Sequence, residues 1–332
     1  MSITRTRARA VAASLTGAAV ALALSACGHE GTSSNAASAV AKGGKPTVCL
    51  VMKSLGNQYF QGMQAAAVAH AKQRGDLVLQ AVGVQSDTDV DDQVTEINKC
   101  ITEGAAGLII APADSRALVE PLKRAVAAGM KVVNIDVQLD QGALKQAGLA
   151  IPFIGPDNTA ATLASGMVLA KDLGSGGKVV ILQGEPGAAN AVQRTAGFME
   201  AVQQGHLDLL ASTTAHWDTD DAYTVLSDML TAHPDIKGVL SSNDDMTLGA
   251  EKAIAAAHLT GKVKIASFDD IDAVQTYLAD GSVVATVNQN AGLQADDGID
   301  DVLNEIAGKA TYTGWVKTPF SVVTTASAAG GN

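Results

Sequence analysis

Short runs rich in β-branched residues alternate with longer alanine-rich stretches along most of the chain, and this alternation restricts the possible folds more than any other feature. From these runs we predict ten strands: TVCLVM, LVLQAVGV, GLIIAP, KVVNID, PFIG, KVVILQG, LLASTTA, GVLSSN, KIASFD and SVVATVNQ. Helix-length connections join most of them, with a loop expected before PFIG, and such connections favour parallel neighbours. Ten strands exceed one ordinary doubly wound sheet, so the sequence predicts two similar α/β lobes that divide near Gly155 and Pro156.

The first 26 residues have the composition of an export signal rather than of a folded domain. Three arginines precede an apolar run from Ala10 to Leu24, which is too short and too poor in large side chains to span a membrane. Removal of residues 1–26 takes away three arginines and no acidic residue, so the formal charge changes from −11 to −14. Such an acidic body repels phosphate backbones, which argues against nucleic acid as a partner.

The signal ends in Leu24-Ser25-Ala26-Cys27, a sequence similar to the bacterial lipobox, whose cysteine receives a diacylglyceryl group. This similarity implies lipidation of Cys27 and anchoring to the outer face of the bacterial cytoplasmic membrane. An ordinary secretory signal followed by an incidental cysteine is the alternative. Residues 27–45 are small and polar, and we expect them to form a flexible tether.

Two cysteines remain in the body of the protein, Cys49 at the start of the first predicted strand and Cys100 near the end of the second predicted helix. An even pair in an exported protein can form a disulfide. Strand starts and helix ends lie on the same side of a layered parallel sheet, so a Cys49–Cys100 bridge is geometrically possible. Two buried thiols are the alternative.

Polar and aromatic residues gather where the predicted strands end. Open α/β sheets bind ligands at the carboxyl ends of their strands, where loop groups are left unpaired by the core. Aromatic residues are only 3% of the chain, yet four of its eleven fall in these loops, although each could also cap a core. The candidate binding residues at the strand ends are Lys53, Asn57, Tyr59, Phe60, Asp136, Asn190, Trp217, Asn243, Phe268, Asp269 and Gln289.

Arg194 is a further candidate. It follows Asn190 by four positions at the start of a predicted helix, so the two side chains share one helix face near the end of a strand. A surface ion pair with Glu200, or with an acidic residue of the tail, is the alternative role for this arginine.

The residue types at these positions suit a sugar or a polyol. The C–H face of such a ligand stacks on aromatic rings, and its hydroxyls both donate and accept hydrogen bonds. Lys53 and Arg194 contribute two positive charges, and Asp136 and Asp269 contribute two negative ones, so the candidate site is nearly neutral. A neutral ligand therefore fits better than a phosphate or a carboxylate, which the two aspartates would oppose.

Taken in chain order, the motifs resemble those of periplasmic sugar-binding proteins of the ribose-binding type, the type I solute-binding proteins of ABC sugar importers. The motifs are SLGNQYF, APADS, NID, IGPDN, LQGEPGAANAVQRTAGF, HPDIKGVLSSNDDMTLGA, ASFDD and ATVNQ, within residues 46–324. The resemblance implies two doubly wound parallel-sheet lobes joined by a three-strand hinge near Pro156, Gln289 and Pro319. It assigns residues 46–155 and 290–319 to the N-terminal lobe, and residues 156–289 and 320–332 to the C-terminal lobe.

The same resemblance implies that the eleven strand-end residues and Arg194 contact the ligand. It also implies a monomer without a cofactor that closes around its ligand and presents it to an ABC permease. Two residues depart from the ribose-binding pattern: Lys53 stands where a small hydroxyl residue is usual, and Val137 stands where an arginine is usual. Ribose itself is therefore in doubt, and pentoses, hexoses and linear polyols all remain open.

Other motifs indicate neither catalysis nor a metal site. GEPGAAN (184–190) lacks the ending of a nucleotide-binding loop. DTDVDD (87–92) lacks the glycine of a calcium loop and is typical of a helix start, and NDDM (243–246) favours a ligand contact with a helix cap over a metal site. No serine or cysteine nucleophile has a histidine partner by motif, so we predict that the chain is not an enzyme.

Two other classes of protein use the same lobes. A receptor that presents its ligand to a membrane sensor, for signalling or chemotaxis, is the alternative function. Regulators of the lactose-repressor type share the fold but need an N-terminal helix-turn-helix, and an export signal stands in that place here.

Overall fold

The computed structural model of the protein describes residues 44–324. The predicted export signal, the predicted lipidation site Cys27 and all but the last two residues of the predicted tether lie outside the described residues, as do residues 325–332. Within the described part, no helix combines the length and the apolar character that crossing a membrane would require.

Two six-stranded sheets organise residues 44–324. The strands are, in chain order, β1 (Thr47–Ser54), β2 (Val78–Val84), β3 (Gly107–Ile110), β4 (Lys131–Ile135), β5 (Phe153–Gly155), β6 (Lys178–Gln183), β7 (Asp208–Thr214), β8 (Gly238–Ser241), β9 (Lys264–Ala266), β10 (Val283–Asn288), β11 (Trp315–Lys317) and β12 (Ser321–Thr324). The first sheet has the order β11-β5-β4-β3-β1-β2 and is entirely parallel. The second has the order β12-β10-β9-β8-β6-β7, with only β12 antiparallel to its neighbour. The predicted pair of parallel-sheet lobes is confirmed.

Helices connect the strands and cover the sheets. They are α1 (Gln58–Arg74), α2 (Val90–Thr102), α3 (Val119–Ala127), α4 (Gln141–Ala147), α5 (Asn158–Leu173), α6 (Ala189–Gln204), α7 (Thr219–Ala232), α8 (Asp244–Ala256), α9 (Gln275–Asp280) and α10 (Ala291–Ile306), with a 3₁₀ turn at Asp272–Val274. Helix α10 packs against α1 and β4 of the first lobe, although β10 before it belongs to the second sheet. The chain therefore passes between the lobes three times: after β5, after β10 and between β11 and β12.

The prediction of a loop before the fifth strand is wrong, because α4 occupies part of this segment. Asp140 starts this helix, since its Oδ1 accepts a hydrogen bond from the backbone N–H of Ala143 at 2.6 Å. Gly148 ends it with a φ of 71°, a left-handed conformation that glycine adopts without a steric cost. The segment is short, and its local capping signals outweigh its weak apolar periodicity.

The core of each lobe lies on both faces of its sheet. In β1, every residue from Val48 to Met52 is completely buried, as expected for a parallel strand covered by helices on both sides. Cys49 of β1 and Cys100 of α2 form a disulfide, with their Cα atoms 6.4 Å apart. The bridge fixes α2 to β1, the strand that leads into the loop before α1.

Candidate functional site

A small cavity lies between the two lobes, at the carboxyl ends of their strands. The lining residues come from both lobes and are Lys53, Asn57, Tyr59, Phe60, Asp87, Asp136, Asn190, Arg194, Trp217, Asn243, Asp269 and Gln289. The structure thus brings eleven of the twelve predicted binding residues together, adds Asp87, and leaves Phe268 behind the wall.

Asp87, which the sequence prediction missed, fixes the loop between β1 and α1. One carboxylate oxygen accepts from the backbone N–H of Ser54 at 2.7 Å, and the other accepts from Asn57 Nδ2 at 2.9 Å. Asn57 Oδ1 in turn caps α1 by accepting from the Tyr59 N–H at 2.9 Å. Asp87 follows the end of β2 by three residues, so the rule that located the other strand-end residues applies to it as well.

Two aromatic walls face the cavity from opposite lobes. Tyr59 and Phe60 form the first wall, with ring centroids 5.0 Å apart and an angle of 79° between the ring planes. Trp217 forms the second. The Lys53 ammonium lies between them, 5.5 Å from the centroid of Phe60 and 5.0 Å from that of Trp217. Cation–π attraction therefore holds the buried lysine while its N–H groups remain able to donate to a ligand.

The Tyr59 hydroxyl is connected to the second crossing between the lobes. Gln294 of α10 donates from one amide nitrogen to the Tyr59 hydroxyl at 3.1 Å and to the Gln289 carbonyl at 3.0 Å. Gln289 then donates from Nε2 to Asp269 Oδ1 at 2.7 Å. These bonds connect a wall of the first lobe, the hinge and a carboxylate of the second lobe.

Arg194 is buried rather than paired with Glu200 on the surface. Its Nε donates to Asn158 Oδ1 at 2.8 Å and its Nη1 donates to the Ser242 carbonyl at 2.9 Å. The guanidinium carbon lies 3.6 Å from the ring centroid of Phe268. Phe268 is completely buried under the guanidinium, so it supports Arg194 and does not face the cavity.

Three cavity residues adopt backbone conformations that cost energy outside glycine. The φ angles are 62° for Asp136, 66° for Trp217 and 119° for Asp269. Strain of this kind, about 1–3 kcal/mol per residue, is concentrated at functional sites. The Trp217 indole packs directly against Gly184, where any side chain would clash: a Cβ there would lie 2.1 Å from a ring carbon of Trp217.

Burial and nearby cations have opposite effects on the pKa values of the carboxyl groups in the cavity. Burial raises the pKa of Asp136, while the Lys53 ammonium and the Arg194 guanidinium lower it. Burial also raises the pKa of Asp269 well above its usual range, against the opposing effect of Arg194. With Asp87 included, the cavity has three carboxyl groups and two cations.

Three buried polar atoms of lining residues have no partner among the described residues. They are Asn190 Oδ1, Gln289 Oε1 and Trp217 Nε1. Buried polar atoms are nearly always hydrogen-bonded, so each unpaired one requires an explanation. Two acceptors and one donor around the same cavity are suited to a ligand that both donates and accepts hydrogen bonds.

The acidic motif at the start of α8 is structural. Asn243 Oδ1 caps the helix by accepting from the Met246 N–H at 2.9 Å, as predicted for NDDM. Asp244 is completely buried and accepts hydrogen bonds from Ser267, from Thr286 and from the backbone N–H of Ile271. In the part of the chain that the structure describes, no group of His, Cys, Asp and Glu residues could hold a metal ion.

Two parallel-sheet lobes that enclose a polar cavity with aromatic walls define a two-lobe ligand-binding protein. Residues 48–310 match the periplasmic binding protein domain. A D-ribose/D-allose-binding protein of Pseudomonas aeruginosa is 40% identical over 284 residues, which are 84% of this chain and 89% of that protein. The chain therefore belongs to the periplasmic binding protein family.

Solved structures agree with this assignment. An ABC transporter solute-binding protein of Burkholderia multivorans, with an unknown ligand represented as α-D-erythrofuranose, has 40% sequence identity and a TM-score of 0.82, over 85% of this chain and all of that chain. A second one, from Actinobacillus succinogenes with bound D-allose, has 31% identity and a TM-score of 0.81, over 86% of this chain and all of that chain. The protein is a sugar-binding component of an ABC importer and, as predicted, not an enzyme.

Proposed function

We propose that this protein captures one neutral monosaccharide or polyol between its lobes and delivers it to an ABC import permease. In this proposal the lobes close about the hinge, and the closed form is what the permease recognises. A ligand shifts the lobes only by as much as it binds the closed form better than the open one. The ligand must therefore contact both lobes at once.

The unpaired atoms of the cavity wall carry the proposal. Asn190 Oδ1 and Gln289 Oε1 need donors, whereas Trp217 Nε1 needs an acceptor. A hydroxyl group donates and accepts, so one kind of functional group satisfies all of these atoms. An ionised phosphate or carboxylate group brings acceptors alone and would leave the side-chain acceptors unpaired.

The aromatic walls support a ring-shaped or chain-shaped ligand with an apolar C–H face. Phe60 and Trp217 offer such a face from opposite lobes. Micromolar affinity requires about −8 kcal/mol, which several hydrogen bonds of about 0.5–1.5 kcal/mol each and two stacked faces can supply. D-Ribose and D-allose are the first candidates because the Pseudomonas relative is named for both; other pentoses, hexoses and linear polyols follow.

The same proposal includes a lipid anchor on Cys27. The tether of residues 27–45 would then keep the binding lobes near the membrane, at a root-mean-square reach of roughly 25 Å for a flexible chain of this length. Such tethering raises the local concentration of the loaded lobes at the permease without adding any contact. Mass spectrometry of the protein extracted from membranes tests the anchor, and an unmodified Cys27 would contradict it.

A calorimetric and thermal-shift panel tests the ligand class. It compares D-ribose, D-allose and ribitol with D-ribose 5-phosphate and D-ribonate, which keep the size of the sugar but add a negative charge. We expect a neutral compound to stabilise the protein and the anionic partners to have no effect. Stabilisation by the anionic compounds alone would overturn the proposal.

A pair of tryptophan variants links the effect to the cavity. Trp217→Ala removes one wall and should abolish the ligand-induced shift. Trp315→Ala changes the other tryptophan of the chain, which is 37% exposed in β11 and does not line the cavity, and should leave the shift intact.

A further inference from the structure

We infer that four residues outside the cavity form a latch that stabilises the closed form and so sets ligand affinity. The latch consists of Asp114 and Ser115 of the first lobe and of Gly187 and Ala189 of the second. None of the four lines the cavity. The inference rests on the proposed function, because it concerns the closure that accompanies binding.

Ser115 bridges the lobes through its backbone and its side chain. Its N–H donates to the Gly187 carbonyl at 3.0 Å, and its hydroxyl oxygen accepts from the Ala189 N–H at 2.8 Å. Its own carbonyl accepts from the Asp140 N–H at 2.8 Å, which fixes the serine within the first lobe. Ser115 is buried, at 6% exposure, so water competes little for these bonds.

The bond from Ala189 to Ser115 gives α6 a side-chain cap that its own N-cap residue cannot provide. The residue before this helix is Ala188, whose methyl side chain cannot accept a hydrogen bond from the helix N-terminus. Four backbone N–H groups at the start of a helix need partners from outside the helix. Ser115 provides one of them from the opposite lobe, so α6 has this capping bond only while the lobes are together.

Gly187 makes the close approach possible. A Cβ on this residue would lie 2.2 Å from Asp114 Oδ2 and 3.8 Å from Asp114 Cβ. The carboxylate cannot move aside cheaply, because its other oxygen accepts from the N–H groups of Arg116 and Ala117 at 2.7 Å each. The φ of Gly187 is not positive, so alanine fits the backbone of the second lobe. Alanine at position 187 therefore obstructs closure specifically.

The latch acts on affinity through the closed population. When only the closed form holds ligand firmly, the apparent dissociation constant varies inversely with the closed fraction. Ser115→Ala removes a helix cap, which corresponds to an increase of about twofold to thirtyfold in the dissociation constant of the best sugar from the panel. Gly187→Ala should raise it by at least about fivefold, and both variants should release ligand faster.

A double-mutant cycle separates the latch from general damage. Asp114→Ala removes the carboxylate that meets the new methyl group, so Gly187→Ala should cost much less in the Asp114→Ala background than in the wild type. Ser227→Ala is the control for the serine, because among residues 44–324 its hydroxyl donates to the Tyr223 carbonyl of its own helix, α7. Gly62→Ala is the control for the glycine, since no described atom outside its chain neighbours and its own helix backbone lies within 4 Å of its Cβ position.

Spin labels on Lys99 and Lys252, both exposed, report the separation of the lobes with and without sugar. We expect the closed fraction to fall in the order wild type, Ser115→Ala, Gly187→Ala. If no neutral sugar binds the wild type, the proposed function fails, while the label distances still test the latch. Equal closed fractions in all three proteins, or an Asp114→Ala background that gives no relief, would overturn the inference.

Discussion

Replacing Asn190 with leucine is expected to stabilise the ligand-free protein and to weaken ligand binding. Asn190 is 3% exposed, and its Oδ1 has no partner among the described residues. An unsatisfied buried polar group costs about 1–3 kcal/mol, and leucine has nearly the same shape. The free energy of unfolding should therefore rise by about 1–2 kcal/mol, a few tenths of it from helix propensity. In the complex, a ligand hydroxyl loses its partner, so the dissociation constant should rise about tenfold or more.

Urea denaturation without ligand measures the first effect, and titration calorimetry measures the second. Asn134→Leu is the matched control. Asn134 is equally buried, but it donates to the carbonyls of Ile110 and Val137 at 3.2 and 2.8 Å and accepts from the Leu139 N–H at 2.9 Å. Leucine there should lower the free energy of unfolding by about 1–3 kcal/mol, because backbone groups lose their partners. If Asn190→Leu destabilises the protein as the control does, or leaves sugar affinity unchanged, the ligand-directed role of this side chain is refuted.

Three further predictions concern stability. Arg194→Met should lower the free energy of unfolding by about 2–5 kcal/mol, because Asn158 Oδ1 and the Ser242 carbonyl lose their buried donor. A loss below about 1 kcal/mol in urea denaturation would contradict this. Burial raises the pKa of Asp244 to about 7, so the folded protein keeps a proton that the unfolded chain releases above about pH 4. The free energy of unfolding should fall as pH rises from about 4 to 7, and Asp244→Asn should remove roughly 4 kcal/mol of that fall; an unchanged slope would contradict it. The Cys49–Cys100 disulfide spans 51 residues of chain, so replacing both cysteines with alanine should lower the free energy of unfolding by about 4 kcal/mol. Reductant should lower the melting temperature of the wild type but not of this variant.

The strands of both sheets could be predicted because parallel strands are buried on both faces and form continuous apolar runs. All ten predicted runs contain strands in the structure. The last two strands, β11 and β12, have three and four residues and are partly exposed, so they have no such run. Their pairing depends on distant contacts, such as the bond from Trp315 Nε1 to the Gly155 carbonyl at 2.9 Å, which local pattern cannot indicate.

Most of the candidate site could also be predicted from the sequence, because the topology brings the carboxyl ends of parallel strands together. That rule selects positions but not the direction of a side chain. Phe268 is next to Asp269 in sequence, yet its ring lies under Arg194 while the aspartate faces the cavity. The partners that hold a site are also hidden from sequence, as Gln294 shows by joining α10 to the Tyr59 hydroxyl across 235 positions.

The most direct test is a crystal structure with the neutral sugar that gives the largest thermal shift. It shows whether both lobes bind one uncharged ligand. We predict a sugar ring in contact with Phe60 and Trp217, with hydroxyl oxygens within about 3.2 Å of the carboxyl groups of Asp136 and Asp269. A sugar bound outside this cavity, or held in a closed protein by the residues of one lobe alone, would contradict that prediction.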